Sequence, residues 1–338
     1  MIPLFSFRSR CLWAPTGGFF IPVCNSNIGF ARPDRRLSCK IKNENKMKRI
    51  FRLGSLIGVM ALACSCVLGL QSNKIPVNIG FRPVIGHDTR AEIEESVPFP
   101  QDRSFKVWAT NTEDGSTVLN DEAVSYGTSG WFASQIWPDA ELSFTAYWPV
   151  DLAPSYNPDK GVSIKGFNTD KDKRDILVAR NKAEYDADSL AVLNFDHILS
   201  RVDFRVMHSL EDNVEVVLTK IELDGYAFSG DYDGGAWTVG AKTDKHVVYD
   251  AGTGEGLKLT KDAVYVGEDF YTIPQLCEAA VVLYCNVRVG AGGWIPDILK
   301  IDGLKTDWQS GKQYTYTLNL TDTRLTYTTG ISNWNNRE

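Results

Sequence analysis

Cys64, which directly follows a short apolar segment, is the residue of this chain with the clearest chemistry. Residues 53–63 carry no charge, and the run is only 11 residues long, too short for the ~20 that a membrane-spanning helix needs. The segment ends in Ala61-Leu62-Ala63-Cys64 and is preceded by three basic residues, Lys48, Arg49 and Arg52. This order predicts a lipoprotein signal peptide over residues 47–63, with Cys64 acylated on its sulfur and its freed amine.

Two alternatives to this interpretation remain open. Cys66, which follows Ser65, is a second candidate for the lipid, and a plain signal peptide with two incidental cysteines is also consistent with the sequence. Residues 1–46 contain scattered arginines and three cysteines without hydrophobic periodicity. We interpret them as translation from a misassigned upstream start, with a real cytoplasmic extension as the alternative.

Residues for catalysis do not occur at the spacings that known mechanisms use. The four histidines, His87, His197, His208 and His246, form no HExxH pair, and the chain has no G-x-S-x-G elbow, S-x-x-K or P-loop. A catalytic histidine whose partners are distant in sequence is the alternative that these motifs leave open. The sequence nevertheless predicts a protein that is not an enzyme and holds no cofactor.

Oxygen-rich and aromatic residues suggest two further kinds of binding. Asp231 and Asp233 form part of a calcium-type loop, as do the oxygens of 168–175, but neither segment has the full set of ligands, so no metal is predicted. Nine tryptophans invite a glycan-binding interpretation. Most of them are expected in the core, and a surface platform is left open among Trp131, Trp137, Trp294 and Trp308.

The charge changes sharply once the predicted leader is removed. Residues 1–63 hold 11 of the 36 basic and 2 of the 42 acidic residues, which leaves 25 basic, 40 acidic and a formal charge of −15. A body this acidic repels nucleic acid and anionic membranes. Membrane attachment is therefore expected to come from the lipid alone.

The elements that must carry these residues are strands. Apolar residues alternate at period 2 in many short runs, and Gly- and Asp-rich turns separate the runs, which predicts an all-β protein of antiparallel sandwiches. Cys277 and Cys285 fall on one face of such a strand, about 26 Å apart at ~3.3 Å per residue. That separation excludes a disulfide between them, and both are expected to be buried. The clearest inward faces are those of Ile75-Val77-Ile79-Phe81, Phe105-Val107-Ala109, Leu142-Phe144-Ala146-Trp148, Val202-Phe204-Val206, Val217-Thr219-Ile221-Leu223, Tyr314-Tyr316-Leu318-Leu320 and Leu325-Tyr327-Thr329-Ile331.

Domain organisation follows from the density of these strands. Residues 151–192 are polar and rich in loops, and strand density resumes at Phe195. We predict an N-terminal sandwich over 74–193 and a C-terminal sandwich over 194–338.

Several segments together resemble the fimbrillin-like family of type V pilus subunits. Phe195 to Val202 is similar to its "F-x-H-x-L-(S/A)-(K/R)-(V/L)" strand, and Phe144 to Pro149 to its "F-x-A-Y-x-P" strand end. Asp175 to Ala179 resembles "D-(I/L)-L-x-A", and Gly311 to Leu318 resembles "G-K-x-Y-x-Y-x-L". Ile331 with Trp334 is similar to the closing "I-x-x-W". The resemblance spans residues 74–338.

The resemblance implies two transthyretin-like domains, export to the outer membrane as a lipoprotein, and assembly with other pilus subunits by strand exchange. It also implies cleavage after an arginine behind the first strand. Arg90 fits best, with Arg82 and Arg103 as lesser candidates. The donor strand would lie in 323–334, with Leu325, Tyr327, Thr329 and Ile331 facing inward. Two alternatives stay open: these residues complete their own sandwich, or the protein is a monomeric surface lipoprotein that binds glycan or host protein.

Overall fold

Alternating apolar residues and glycine-rich turns produce a structure made almost entirely of strands. The computed structural model describes residues 76–86, 96–185, 190–242, 245–322 and 324–334. The predicted signal peptide, Cys64, Cys66, Ile75, His87 and Arg90 lie outside the described residues. Within the part that is described, no helix is both long and apolar enough to cross a membrane.

The first half of the described chain contains eleven strands and one short helix. They are β1 (Asn78–Ile85), β2 (Val97–Pro98), β3 (Phe105–Asn111), β4 (Thr117–Val124), β5 (Tyr126–Gly127), β6 (Gly130–Ile136), β7 (Leu142–Trp148), β8 (Ser155–Asn157), β9 (Gly161–Asn168), α1 (Thr169–Asp172), β10 (Leu177–Ala183) and β11 (Ala191–His197). The second half of the described chain is built only from strands. They are β12 (Ser200–His208), β13 (Val214–Asp224), β14 (Ser229–Asp233), β15 (Ala236–Val239), β16 (His246–Asp250), β17 (Leu257–Lys258), β18 (Val264–Thr272), β19 (Gln275–Val289), β20 (Ile295–Trp308), β21 (Lys312–Leu320) and β22 (Leu325–Asn333).

Nine strands of the first half form one curled sheet. Their order is β4-β3-β7-β10-β11-β1-β6-β5, and β2 pairs with the end of β1. The sheet bends until β4 approaches β6, where the Ser134 amide donates to the Glu122 carboxylate over 2.5 Å. The inward side chains of opposite walls then share one core, which makes this half sandwich-like.

The second half is a sandwich of two sheets. One sheet has the order β18-β12-β21-β22, and the other has the order β16-β13-β19-β20 with β17 beside β13. Their facing side chains form a second core. The predicted all-β, sandwich-like class is confirmed.

A fourth sheet connects the two halves. Its order is β15-β14-β9-β8, and the pairing of β14 with β9 joins residues 229–233 to residues 163–168. The predicted junction at 193/194 falls inside β11, which pairs with β1 and β10 of the first sheet. The division into two transthyretin-like domains stays a prediction.

Most of the predicted inward faces are buried as expected. The predicted residues of β3, β12 and β21 lie in the cores, and Cys277 and Cys285 are free and buried. In β7 the first three are buried and Trp148 is half-buried.

Strand β13 corrects one prediction. Val216 and Leu218 point into the core where Val217 and Thr219 were expected. An irregularity between Leu218 and Lys220 reverses the alternation, so that Ile221 and Leu223 point inward as predicted.

Candidate assembly site

Strand β1 lies in the middle of the N-terminal sheet and completes its core. It runs parallel to β11 and antiparallel to β6, with Phe81 opposite Ala191 on one side and Trp131 on the other. Ile79 and Phe81 are fully buried. The ring of Phe81 packs edge-on against Phe105 and Phe144, at centroid distances of 5.8 and 5.5 Å. We call the space that β1 fills between β11 and β6 the β1 groove, because loss of β1 would leave two unpaired strand edges and an apolar slot.

The three candidate cleavage sites differ in their setting. Arg90 lies outside the described residues, in the connection between β1 and β2. Arg82 is inside β1, where its backbone is part of the ladder with β11. A protease needs accessible, extended backbone, so Arg82 is protected in the folded chain. Arg103 is exposed in the turn after β2, and its guanidinium lies 4.9 Å from the ring centre of Trp148.

Strand β22 carries the candidate donor residues and lies at the edge of its sheet. It is antiparallel to β21 from Lys312–Asn333 to Leu320–Leu325, and among the described strands β21 is its only ladder partner. Leu325 is buried, but Tyr327 is 38% exposed, Ile331 is 65% exposed and Thr329 is also exposed. The expected inward face is therefore covered only at its first residue.

The polar end of the facing sheet explains this exposure. Thr329 and Ile331 line a cavity of about 350 Å³ together with Lys305 and Asp307 of β20 and Tyr314 of β21. Charged side chains on β20 cannot form an apolar cover over Ile331. The alternation of β22 thus presents apolar groups that its own sandwich leaves partly open.

Trp334 fixes the end of β22. Its indole is buried and stacks on the ring of His197, with centroids 3.9 Å apart, and on Tyr271 at 5.4 Å. Its backbone N–H donates to the carbonyl of Gly311 over 2.9 Å. The strand is therefore held at both ends, by Leu325 and by Trp334, while its centre is exposed.

A buried polar pair supports the Trp334 stack. Nδ1 of His197 donates to a carboxylate oxygen of Asp175 over 2.6 Å, and both side chains are buried. Three segments that carried the family resemblance, the ones containing Asp175, His197 and Trp334, thus meet at one place. The sequence did not predict that these three segments meet, although the three family motifs already contained the residues that do so.

The ends of β1 and β22 open on one cavity of about 590 Å³. Gly86, which follows β1, lines it together with His197, Tyr232, Gly311 and Trp334. Among the described residues, Nε2 of His197 and Nε1 of Trp334 have no hydrogen-bond partner. Strands β1 and β22 are therefore neighbours at their C-terminal ends.

The tryptophan platform proposed as an alternative is wrong for three of its four residues. Trp131 and Trp137 are each 6% exposed, and Trp308 is 1% exposed, because all three pack in the cores. Trp294 alone is open, at 44%, with the guanidinium of Arg288 4.5 Å from its ring centre.

The acidic loops use their oxygens within the fold. Asp231 accepts from the Gly166 amide over 2.8 Å and pairs with Lys165, and Asp233 accepts from the Ser163 hydroxyl. The Asn168 side chain caps α1 by accepting from two amides. In the part of the chain that the structure describes, no group of three or more His, Cys, Asp or Glu is placed to hold a metal ion.

These features define an all-β, sandwich-like protein with a buried interior strand, β1, and a partly exposed edge strand, β22. The chain belongs to the fimbrillin-like family, whose model matches residues 89–334. The family resemblance deduced from the sequence is confirmed.

One solved structure shows the same fold at low sequence identity. A fimbrial protein from Bacteroides vulgatus is 13% identical, with a TM-score of 0.58 over 76% of this chain and 99% of that chain. Candidate cell adhesion proteins from Bacteroides ovatus and Bacteroides uniformis are each 16% identical, with TM-scores of 0.48 and 0.47. The match to the Bacteroides ovatus protein covers 78% of this chain and 100% of that chain, and the match to the Bacteroides uniformis protein covers 77% and 99%. No curated protein matches the sequence.

Proposed function

We propose that the protein is a cell-surface fimbrial subunit, or an anchor or tip component of a fimbria, that contributes to adhesion and is not an enzyme. Membership of the fimbrillin-like family supports this function. The single observation that carries it is the contrast between two strands. Strand β1 is paired along both of its edges, with β11 on one side and with β6 and β2 on the other, whereas β22 is paired along one edge among the described strands and exposes Tyr327 and Ile331.

In the proposed assembly, cleavage at Arg90 separates β1 from the rest of its domain. The segment from Leu325 to Ile331 of a second copy then enters the β1 groove. An edge strand that moves into this groove gains a second ladder partner and a cover for its apolar side chains. Before cleavage, β1 competes at the high effective concentration of a tethered segment.

The proposed anchor is a lipid on Cys64 at the outer membrane. The short uncharged segment that ends directly before Cys64 supports it. The acidic surface of the mature chain does not itself attract an anionic membrane, so attachment would rest on the lipid. Replacing Cys64 by Ala should move the protein from membranes to the soluble fraction, as measured by fractionation and mass spectrometry. Lipid found on Cys66 instead would move the anchor there, and lipid on neither would remove it from the proposal.

The exchange is tested by the size of the protein after cleavage. The wild-type mature chain should give detergent-resistant multimers, whereas Arg90→Ala should stay a full-length monomer. Because Leu325 is buried in its own core, the informative donor variant is Tyr327→Asp with Ile331→Asp, both at exposed positions. It should be cleaved normally and form no multimers.

A matched control uses the opposite face of the same strand. Thr328→Asp with Ser332→Asp adds the same charge to exposed positions that would point away from the core in the groove. This variant should polymerise. Normal multimers from the Tyr327 and Ile331 variant would show that β22 is not the donor.

A further inference from the structure

The outer face of β1 contains a slot that admits only glycine without rearrangement. A Cβ built on Gly80 would lie 2.6 Å from Cδ2 of Leu190 and 2.9 Å from Cε1 of Phe132. Carbon atoms in contact are normally about 3.5–4.0 Å apart, so any side chain there must displace both neighbours. Leu190 and Phe132 are themselves 44% and 41% exposed and lie over the strand from the solvent side. We call this place the Gly80 slot.

Strand β22 contains a glycine that its own sandwich does not require. Gly330 is not among the residues with positive φ, and a Cβ built on it would meet only the carbonyl oxygen of Thr315, at an ordinary 3.9 Å. Glycine in the interior of a strand weakens it, and often marks a place where something else approaches closely. The neighbours Thr328, Thr329 and Ile331 are all β-branched, as a strand favours. The monomer therefore gives no structural reason for Gly330.

One register of β22 in the β1 groove explains both glycines. If Tyr327, Thr329 and Ile331 take the inward places of Val77, Ile79 and Phe81, Gly330 falls on the place of Gly80. A shift by one residue turns the inward side chains to the solvent. A shift by two puts Thr328 or Ser332 into the slot, and the latter also puts Asn333 on the core position of Phe81.

We propose that Gly330 of one copy enters the Gly80 slot of a second copy and thereby fixes the register of the exchanged strand. The inference rests on the proposed strand exchange and names its occupant, a second copy of this chain. In this register the donor runs in the direction of β1, parallel to β11. Gly330 is thus a specificity-determining residue for self-assembly.

The experiment uses the full mature chain, cleaved with an arginine-specific protease, with a new N-terminus at Ala91 verified by mass spectrometry. Gly330→Val should fold, be cleaved at the wild-type rate and give at least about tenfold fewer detergent-resistant multimers, because the added side chain overpacks the slot. Gly330→Ala should show a smaller decrease. Thr328→Val is the control, since it places the same valine side chain on the same face of the same strand but outside the slot, and it should polymerise like the wild type.

Enlarging the Gly80 slot provides the decisive test of the proposed register. Leu190→Ala with Phe132→Ala, added to Gly330→Val, should restore multimers to within about threefold of wild type. Wild-type yields from Gly330→Val, or no restoration by the opened slot, would overturn the register while leaving strand exchange intact. A wild-type chain that is cleaved and forms no multimers would overturn both the exchange and the register.

Discussion

Replacing Trp334 by alanine should release the end of β22 while most of the fold survives. The indole is 4% exposed and stacks on His197 and Tyr271. Truncating a buried tryptophan costs about 3–5 kcal/mol in a core. Because Trp334 follows the last strand of the described chain, this cost can be met by local detachment of β22 rather than by global unfolding.

The size of this free-energy loss determines the expected change in the rate of hydrogen exchange. A loss of about 3 kcal/mol is roughly a hundredfold change in an opening equilibrium, at ~1.4 kcal/mol per factor of ten. Amides in 326–333 that bond to β21 should therefore exchange about a hundredfold faster in Trp334→Ala. Amides in β12 and β19, which lie inside their sheets, should change much less. Exchange measured by mass spectrometry on the mature chain separates these segments.

A control and a counter-outcome make the test specific. Ile331→Ala removes a side chain that is 65% exposed, so it should change stability by less than about 0.5 kcal/mol and leave the exchange of β22 near wild type. Uniformly faster exchange across all strands in Trp334→Ala would refute the reasoning. It would mean that Trp334 stabilises the fold as a whole and does not specifically hold the strand.

Two further predictions concern titratable groups. Burial lowers the pKa of His246 below its usual value, although the carboxylate of Asp170, 2.8 Å from Nδ1, opposes this effect. The unfolded chain then binds this proton more readily than the folded chain, so stability should fall as pH drops through ~6.5, and His246→Phe should reduce that slope in urea unfolding. An unchanged slope would assign the effect to other groups. Burial also raises the pKa of the Cys285 thiol to about 12 and that of Cys277 above its usual value. Both should resist a thiol reagent in the native protein and react after unfolding, as mapped by mass spectrometry; labelling of either in the native state would contradict their burial.

Local alternation predicted much of the fold because it reflects the geometry of a strand with one covered face. Phe204 and Tyr316, for example, are inward as expected, since a sheet lies opposite them. The same reasoning failed at Thr219, where an irregularity in the ladder reverses the alternation. Such irregularities depend on the partner strand, so one strand's sequence does not reveal them.

Alternation also does not say whether a face is covered. Leu325, Tyr327, Thr329 and Ile331 share one face, yet only the first is buried, because the neighbouring part of β20 is polar. The opposite error concerned the tryptophans. Trp131 was a candidate for the surface, but it packs against Phe99 and Phe105 in the N-terminal core.

Sequence patterns did not predict which residues from distant segments come into contact. Asp175, His197 and Trp334 come together because the connecting sheet holds the two halves side by side. Nothing in their spacing along the chain measures that distance. The Gly80 slot is similar, since Leu190 and Phe132 reach Gly80 from different segments.

The structure also indicates why exchange would need a cleavage step. In the proposed register, Thr329 replaces Ile79 and Ile331 replaces Phe81, both of which are fully buried. Each smaller or more polar residue in such a place costs roughly 1–3 kcal/mol. Leaving its own sheet costs β22 the burial of Leu325 and the stack of Trp334 as well. A tethered β1 therefore outcompetes a donor from another copy. Once the tether is cut, β1 can leave permanently, and the donor no longer has to displace a tethered strand from the groove. The second ladder partner and the burial of Ile331 that the donor gains there then favour its entry.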